Sequence, residues 1–414
     1  MARLKAISLF TGVGGLDFGF EAAGFSTAVA VEMDATCCRT IQLNRSWPVI
    51  EDDIHRVSTS DILGRASLLP GQADVLIGGP PCQPFSKSGY WVRGDALRLN
   101  DPRATTLEAY LRVLEEAKPR AFLLENVSGL AYSGKDEGLA QIIDGIDAIN
   151  RRQGTNYQPR YAVLNAASYG VPQLRERVFI IGSRDGAAFT FPKVGYADRS
   201  DTEAIEAGAE RFFTAWDAIG DLPVLKNDPV LRMTGKWAEL LPSVPEGQNY
   251  LWHSPRGGGT PLFGWRTRYW SFLLKLAKDR PSWTIQAQPG SATGPFHWAN
   301  RKLSAREMCR IQTFPDDVQF DCSRGEVQRM LGNAVPSLLA EVLAIEIRRQ
   351  LLQQPRAARH YKLLPTRRLG RPRVERVAAV PPKFLPLAGD HAPHPGEGLG
   401  RRASLRGRME DALQ

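Results

Sequence analysis

An α/β fold with a mostly parallel central sheet, and a smaller unit inserted late in the chain, is predicted by three features of the 414-residue sequence. Short β-rich runs alternate with longer helical or mixed segments as far as residue 183, the pattern of strands joined by covering helices. Polar residues gather at the carboxyl ends of those runs, where an open sheet of this kind places its ligand crevice. Beyond about residue 190 the texture changes to Gly, Pro, Ser and aromatic residues, and seven of the nine tryptophans fall between Trp216 and Trp298, so a second unit begins there.

KAISLF (5–10) reads as the first strand, broken by TGVGG. Leu16, Phe18, Phe20 and Phe25 then introduce a helix ended near Gly24, and TAVAVEMD (27–34) is the second strand. ADVLIGG (73–79), PRAFLLEN (119–126) and RVFIIGS (177–183) continue the series, with TLEAYLRVLEEA (106–117) as a helix between them. RKLSAREMCRIQTFP restores a helical pattern ended by Pro315, and a long helix begins near Pro336. The predicted organisation is a large domain from 1–190 plus 301–354, an irregular insertion at 191–300, and a tail at 355–414.

Gly and Pro total 67 residues and hydrophobic residues make up 43%, which excludes collagen-like and wholly disordered chains. The net charge of +9 is concentrated in the tail, which has 13 Lys or Arg against 5 Asp or Glu and holds 8 prolines. It reads as disordered, either a counterion segment for nucleic acid or a solvating extension. Five cysteines without a CxxC pair fit a reducing compartment. No signal-peptide pattern and no apolar run of spanning length is seen, so no membrane role is expected. The six histidines form no ligand pattern, and no metal is expected.

Phe10, Gly12, Gly14 and Gly15 suit a tight turn that lets backbone approach a nucleotide, although a plain connection would look similar. Asp17 stands where the third glycine of a GxGxxG fingerprint would fall. Glu32 ends the second strand, where a carboxylate could accept from ribose hydroxyls, and Met33 could cover an adenine face. In GGPPCQPFS (78–86), Cys82 follows an apolar strand inside a rigid Gly/Pro turn, a setting suited to a nucleophile. Glu125 ends LLENV, and QLRER (173–177) precedes another strand. Each alone could be a solvated acid or a salt-bridging residue; their shared strand-end placement makes one crevice the economical explanation.

LFTGVGG, VEMD, DDI, GGPPCQPFS, ENV, NAASYGVPQLRERVF, RKLSAREMCRIQTFPD and RMLGNAVP, in this order from residue 9 to about 345, resemble the ordered motifs of DNA cytosine-5 methyltransferases of the bacterial restriction-modification type. The resemblance implies an S-adenosylmethionine-dependent methyltransferase fold with a target-recognition domain at 191–300. It implies that Phe10, Gly12, Gly14, Gly15 and Leu16 line S-adenosyl-L-methionine, that Glu32 holds its ribose and Met33 its adenine, with Asp53 and Ile54 at the adenine edge, Pro81 flanking, and Asn333 and Ala334 approaching from the returning segment. Thr106 departs from the leucine the family commonly has in this wall.

The implied catalytic set is Cys82, Glu125, Arg175 and Arg177. A thiolate of Cys82 would attack cytosine C6, making C5 nucleophilic. Glu125 would bond the base around N3 and its amine, and Arg177, supported by Arg175, would hold the O2 side. S-adenosyl-L-homocysteine would be the product. Because C5 and C6 are shielded within a base stack, double-stranded DNA implies a flipped-out base, with Gln83, Ser86 and Gln173 helping to hold it. Arg256, Arg266 and Arg268 in the insertion could touch groove or phosphate, or equally stabilise an irregular core. The expectation is a monomeric cytoplasmic enzyme associated with the nucleoid, with a cognate restriction endonuclease as a functional partner. An RNA cytosine-5 methyltransferase and a catalytically silent DNA-binding regulator are the alternatives.

Overall fold

The computed structural model describes residues 3–81, 105–131, 137–264, 269–355 and 360–389. Cys82, Gln83, Ser86, Arg266 and Arg268 lie outside the described residues. Seven strands, β1 (Leu4–Leu9), β2 (Phe25–Glu32), β3 (Val49–Glu51), β4 (Val75–Gly78), β5 (Ala121–Val127), β6 (Arg160–Asn165) and β7 (Glu176–Ser183), form one sheet in the order β3-β2-β1-β4-β5-β7-β6. The first five pair in parallel, and β7 runs antiparallel between β5 and β6. Both faces are covered, which is why the strands read as continuous apolar runs rather than alternating ones. Phe122 and Leu124 enter one core with Ile7, Leu9 and Leu76, whereas Ala121 and Leu123 enter the opposite core with Ala6, Val75 and Ile77.

The first core is closed by helices α3 (Thr59–Ala66), α4 (Thr105–Ala117) and α5 (Glu137–Gln153), after α1 (Gly15–Ala22) and α2 (Ala35–Asn44) in chain order. The second is closed by α1 and the long C-terminal helix foreseen near Pro336, Ser337–Gln350. Gly19 permits that contact: a Cβ there would come 2.4 Å from both the Ala340 Cβ and the Ser337 carbonyl oxygen. Asp17, fully enclosed, accepts from Ser8 Oγ at 3.0 Å and Thr27 Oγ1 at 2.9 Å. It stitches α1 to β1 and β2, a structural use for the residue that breaks the glycine fingerprint. The stretch 324–350 is apolar and long enough to cross a membrane, but 89% of its apolar window is buried inside the protein, as expected of a core helix.

Besides a single helical turn at Thr202–Glu206, the further helices are α6 (Ala215–Ile219), α7 (Ala305–Ile311), α8 (Arg324–Asn333) and α9 (Ser337–Gln350). A third core joins α6 to α7 and α8 through Ala218, Ile219, Trp298, Met308 and Leu331. Residues 215–219, assigned to the insertion by composition, are therefore packed against the returning helices of the large domain. The separate core of the insertion is smaller and spans Met233 to Phe296, with Leu240, Leu241, Tyr250, Leu262 and Leu273. From far away in sequence, Val380 and Leu387 pack against it and it is joined by Phe384.

That residue corrects the expected tail. Residues 360–389 are packed along the body: Tyr361, Leu363 and Leu364 lie against the second core, and Phe384 is 3% exposed. Several of the charges taken as a free counterion reserve are paired, with Arg368 to Asp221 at 2.9 Å and Lys383 to Glu239 at 2.6 Å. Composition misled because prolines and arginines keep a segment from forming its own core, yet do not prevent it from borrowing one.

Candidate active site

The order β3-β2-β1-β4 sends the chain to opposite sides of the sheet after β1 and β4, so their carboxyl ends open a crevice between the two connections. The turn after β1 holds Phe10, Gly12 and Gly14 at φ of 53°, 56° and 86°, left-handed values that glycine adopts freely and phenylalanine rarely. Gly15 starts α1 hard against the returning chain: a Cβ would lie 2.4 Å from the Val335 carbonyl oxygen and 3.1 Å from the Ala334 Cβ. The first glycine turn and the GNAVP segment, over 300 residues apart, are thereby built into one wall. Leu16 is buried in the second core, so its part in this wall is packing.

Glu32 crosses the mouth of the crevice. Its Oε2 accepts from the Gly12 N–H at 2.7 Å and its Oε1 from the Asp34 N–H at 2.8 Å, which leaves each oxygen a lone pair for a further donor. Burial raises its pKa against the opposing pull of these N–H groups. Met33 beside it is 69% exposed, an apolar side chain held in the open where a flat ring could be covered. Asp53 Oδ1 accepts from the His55 N–H at 3.0 Å, while Ile54 is buried in the first core. The turn carrying both is clamped by Arg112 of α4, whose Nη2 donates to the Ile54 and Val57 carbonyls at 2.8 and 3.0 Å. Arg112 went unnoticed in the sequence because its helix shows only amphipathic spacing.

Beyond β4 the described chain stops at Pro81, one residue before Cys82. Its approach is fixed from two sides: Asn126 Nδ2 donates to the Pro80 carbonyl at 3.2 Å, and Thr106 Oγ1 donates to the Pro81 carbonyl at 3.3 Å. The threonine that replaces the family's leucine thus holds the turn with its hydroxyl. Glu125 at the end of β5 is 7% exposed and pairs with Arg177 Nε at 2.9 Å. Gly79 accommodates it, since a Cβ there would lie 2.8 Å from Glu125 Oε2. Burial raises the Glu125 pKa, with Arg177 and then Arg175 opposing, and burial pulls both guanidiniums below their ordinary range.

Two expected contacts are placed differently. Arg175 is 1% exposed, and its Nη2 donates to the Gly332 carbonyl at 2.8 Å, so it braces β7's approach against α8 and reaches Glu125 only through its field. Gln173 is wholly enclosed and accepts from the Ile285 N–H at 3.3 Å. With Gln173–Leu174 paired to Ser282–Trp283, it ties the QLRER segment to the insertion rather than offering a surface to a nucleotide. Asn333 is exposed and Ala334 partly so, at the edge of the glycine wall.

The other cysteines do not compete for a nucleophile's role. Cys37, Cys38 and Cys309 are buried, and burial pushes the thiols of Cys38 and Cys309 up to about 12 and that of Cys37 further. Cys322 is partly buried and also shifted up by burial. Among the described residues no three His, Cys, Asp or Glu side chains gather as a metal centre. A cavity of about 440 Å³ between 287–296 and the start of α8 presents Lys302, Arg324 and Arg329, the last paired with Asp34 at 2.8 Å.

A family model, the C-5 cytosine-specific DNA methylase, matches residues 4–349. The Type II methyltransferase M.SacI of Streptomyces achromogenes is 41% identical over 373 residues, covering 84% of this chain and 94% of that protein. M.NgoFVII of Neisseria gonorrhoeae, also a Type II methyltransferase, is 33% identical over 334 residues, covering 80% and 83%. Among solved structures, a prophage-encoded E. coli protein described as a DNA modification methyltransferase superposes with a TM-score of 0.59 at 23% identity, over 85% of this chain and all of that one. Spodoptera frugiperda DNMT2 gives 0.57 at 16% identity, over 83% and 99%, and these two likenesses bear on the fold alone. With glycine turn, strand-end carboxylate and Glu125–Arg177 pair set around one crevice, and with a family match over most of its length, the chain belongs to the C-5 cytosine-specific DNA methylases.

Proposed function

We propose that the protein methylates C5 of a cytosine flipped out of double-stranded DNA at a specific sequence, through a covalent bond from Cys82 to C6, and that it protects DNA as the modification partner of a restriction endonuclease. The observation that carries the residue assignments is the Glu125–Arg177 pair at 2.9 Å, built at the end of β5 beside the glycine that leads to Cys82. S-adenosyl-L-methionine, when bound, supplies an electrophilic methyl group. The crevice fits such a molecule: Glu32 keeps lone pairs for ribose hydroxyls, exposed Met33 suits an adenine face, and Phe10, Gly12, Gly14, Gly15, Pro81, Asn333 and Ala334 border the space between. Asp53 belongs at the adenine edge, and Ile54 and Leu16 back the wall from their cores.

The chemistry asked of the chain is to make an aromatic carbon nucleophilic. Attack by the Cys82 thiolate on C6 puts electrons into the ring, and the attack is favoured if N3 is protonated or hydrogen-bonded and O2 is held by positive charge. Glu125, whose pKa burial raises, retains a proton more readily than a solvated carboxyl and is suited to N3 and the amine. Arg177 orients Glu125 and places its charge for O2, while Arg175 supports both through backbone anchoring. After methylation at C5, loss of the C5 proton lets the C6–S bond break, and the thiolate returns to Cys82. Gln83 and Ser86 adjoin the nucleophile in sequence and are assigned to holding the extruded nucleotide. Lys302, Arg324 and Arg329 line a basic cavity suited to backbone phosphates. The insertion reads the flanking bases, and the enzyme acts as a cytoplasmic monomer on the nucleoid.

DNA carrying 5-fluorocytosine at the target tests the mechanism, because fluorine cannot leave as a proton and the enzyme should remain bonded to the base. Cys82→Ala should abolish both trapping and turnover while keeping DNA binding. Methyl transfer by purified Cys82→Ala, or absence of trapping on DNA that is otherwise methylated, would overturn the assignment. Structured RNA assayed in parallel separates the nucleic-acid classes.

A further inference from the structure

We propose that residues 360–389 form a positioning strap, which completes the core of the target-recognition unit and fixes its angle on the catalytic domain. The proposal rests on reading the insertion as that unit. The segment lies beyond the family match, which ends at residue 349, and it holds three bodies in succession. On the catalytic domain, the backbone N–H groups of Lys362 and Leu363 donate to the two oxygens of Glu341, a buried acid on α9, at 2.7 and 2.9 Å. At the junction, Arg367 Nη1 donates to the Phe212 carbonyl at 2.7 Å, and its guanidinium lies 3.7 Å from the centre of the Phe213 ring. Arg368 donates its backbone N–H to Asp217 Oδ1 at 2.8 Å and its Nε to the Asp217 carbonyl at 2.9 Å, and pairs with Asp221.

On the insertion, the Glu375 N–H donates to Glu246 at 2.8 Å, Lys278 Nζ donates to the Arg373 carbonyl at 3.2 Å, and the Ala378 N–H donates to the Pro242 carbonyl at 3.1 Å. Phe384 then enters the insertion's core, stacked on Trp237 with centroids 5.7 Å apart and planes 15° from parallel. That core needs such a contribution. It is small, and among the described residues between Met233 and Phe296 its segments are mostly turns and short 3-10 stretches without a sheet of their own. Units of this size are marginal unless something outside them adds burial or a staple. The strap does both, and because its other end is fixed to α9 and α6, the aromatic plug also sets where the recognition unit stands relative to the crevice. Arg371, Arg373 and Arg376 are exposed, so charge and position can be separated by substitution.

The test uses the full chain and four readouts: cofactor affinity, KM for DNA, single-turnover methylation at saturating DNA, and base-resolution mapping of methylated sites. Phe384→Ala should raise KM for DNA about tenfold and methylate additional near-cognate sites, with cofactor affinity and the saturated rate changed by less than about threefold. Phe384→Tyr, which keeps the stack, should restore both KM and site choice. Arg371→Gln with Arg373→Gln and Arg376→Gln should weaken the salt dependence of binding without altering site choice. A folded Phe384→Ala enzyme with wild-type KM and site map overturns the proposal, and so does a loss of cofactor affinity that matches the loss of DNA affinity, which would mark a general stabilising segment. Should Phe384→Ala not fold, Arg368→Gln carries the same test, because it removes the side-chain contacts of Arg368 to Asp217 and Asp221 at the junction without emptying a core. Exchange of residues 225–300 for those of a relative addresses the recognition reading separately: if the original site is retained, that reading fails whatever the strap does.

Discussion

Gly79→Ala probes the candidate catalytic centre without replacing a reacting group. The new Cβ would sit 2.8 Å from Glu125 Oε2, roughly half an ångström inside ordinary carbon–oxygen contact. Gly79 begins the turn after β4, beside Asn126's hold on Pro80, and Glu125 is held on its far side by Arg177 at 2.9 Å, so neither partner can yield freely. Relief requires lengthening the ion pair or bending the turn that carries Cys82. Overpacking of this kind costs about 1–3 kcal/mol of stability. Since a displacement of about 1 Å in a positioned group can cost about a hundredfold in rate, a shift of half that size should cost about ten- to a hundredfold. Single-turnover methylation at saturating DNA and cofactor measures the effect, with calorimetric cofactor binding as the control, expected to stay within about twofold. Combined with Glu125→Gln, the losses should be far from additive because both act on one pair. A fully active, correctly folded Gly79→Ala enzyme would refute the idea that Glu125's fixed place matters; equal loss of cofactor binding would show collapse of the strand end instead.

Three other substitutions follow from the same geometry. Gly19→Ala should destabilise by about 1–3 kcal/mol in urea melts, because its Cβ meets the α9 backbone as well as Ala340; unchanged stability would mean the two helices slide apart at little cost. Thr106→Val, which removes the hydroxyl from the Pro81 carbonyl, should lower the saturated methylation rate about three- to tenfold while Thr106→Ser retains it, and equal rates for the two would assign Thr106 to packing. Asp17 makes a pH prediction: burial pushes its carboxyl up to about 6 from 3.8, even though Thr27 and Ser8 donate to it. The folded protein therefore holds this proton more tightly than the unfolded chain, and the resulting stability is full below the ordinary aspartate range and lost as pH rises through about 6. At about 1.4 kcal/mol per pKa unit, wild type should lose roughly 2–3 kcal/mol relative to Asp17→Asn between about pH 4 and pH 7, and parallel stability curves would contradict it.

What could be read from the chain and what could not divide along the range of the interactions. The five strands foreseen at 5–10, 27–34, 73–79, 119–126 and 177–183 all appear within a few residues, because a strand buried on both faces must be apolar throughout and announces itself locally. β3 and β6 escaped notice for the opposite reason. Three-residue β3 is at the sheet's edge, and β6 at the other edge leaves Arg160, Tyr161 and Val163 exposed, so neither forms an apolar run. The same logic covers the site. Glu125 was visible because it lies near the end of one strand and Arg177 because it opens another; Arg112 was not read as part of the site and Gly79 was read only as part of the turn before Cys82, since their further importance lies in a carbonyl and a carboxylate that approach from distant segments. Gln173 and Arg175 were legible as important, but their burial against Ile285 and Gly332 gives them a bracing role that no local spacing encodes.

The C-terminal segment shows how charge can be read correctly and placed wrongly. Arginines among prolines imply solvation when each is considered with its neighbours in sequence, yet Arg367 and Arg368 find Asp217 and Asp221 about 150 residues away. Asp217 was already committed to capping α6 through Thr214, so the arginines meet an acid held in place rather than one that must be ordered for them. Preorganised partners of this kind reduce the entropy lost on docking, which lets a strap without regular structure bind along its length. Deletion after residue 354 would consequently do more than remove positive charge: it would uncover Trp237 and leave Glu341 buried without the two N–H donors that Lys362 and Leu363 supply. A buried carboxylate stripped of its donors costs stability on the order of 1–3 kcal/mol, so the truncated protein should melt lower as well as bind DNA less well. If the truncated protein melts as the full chain does, the packing of residues 360–389 contributes nothing to the folded state, and the charge-reserve reading of the tail is restored.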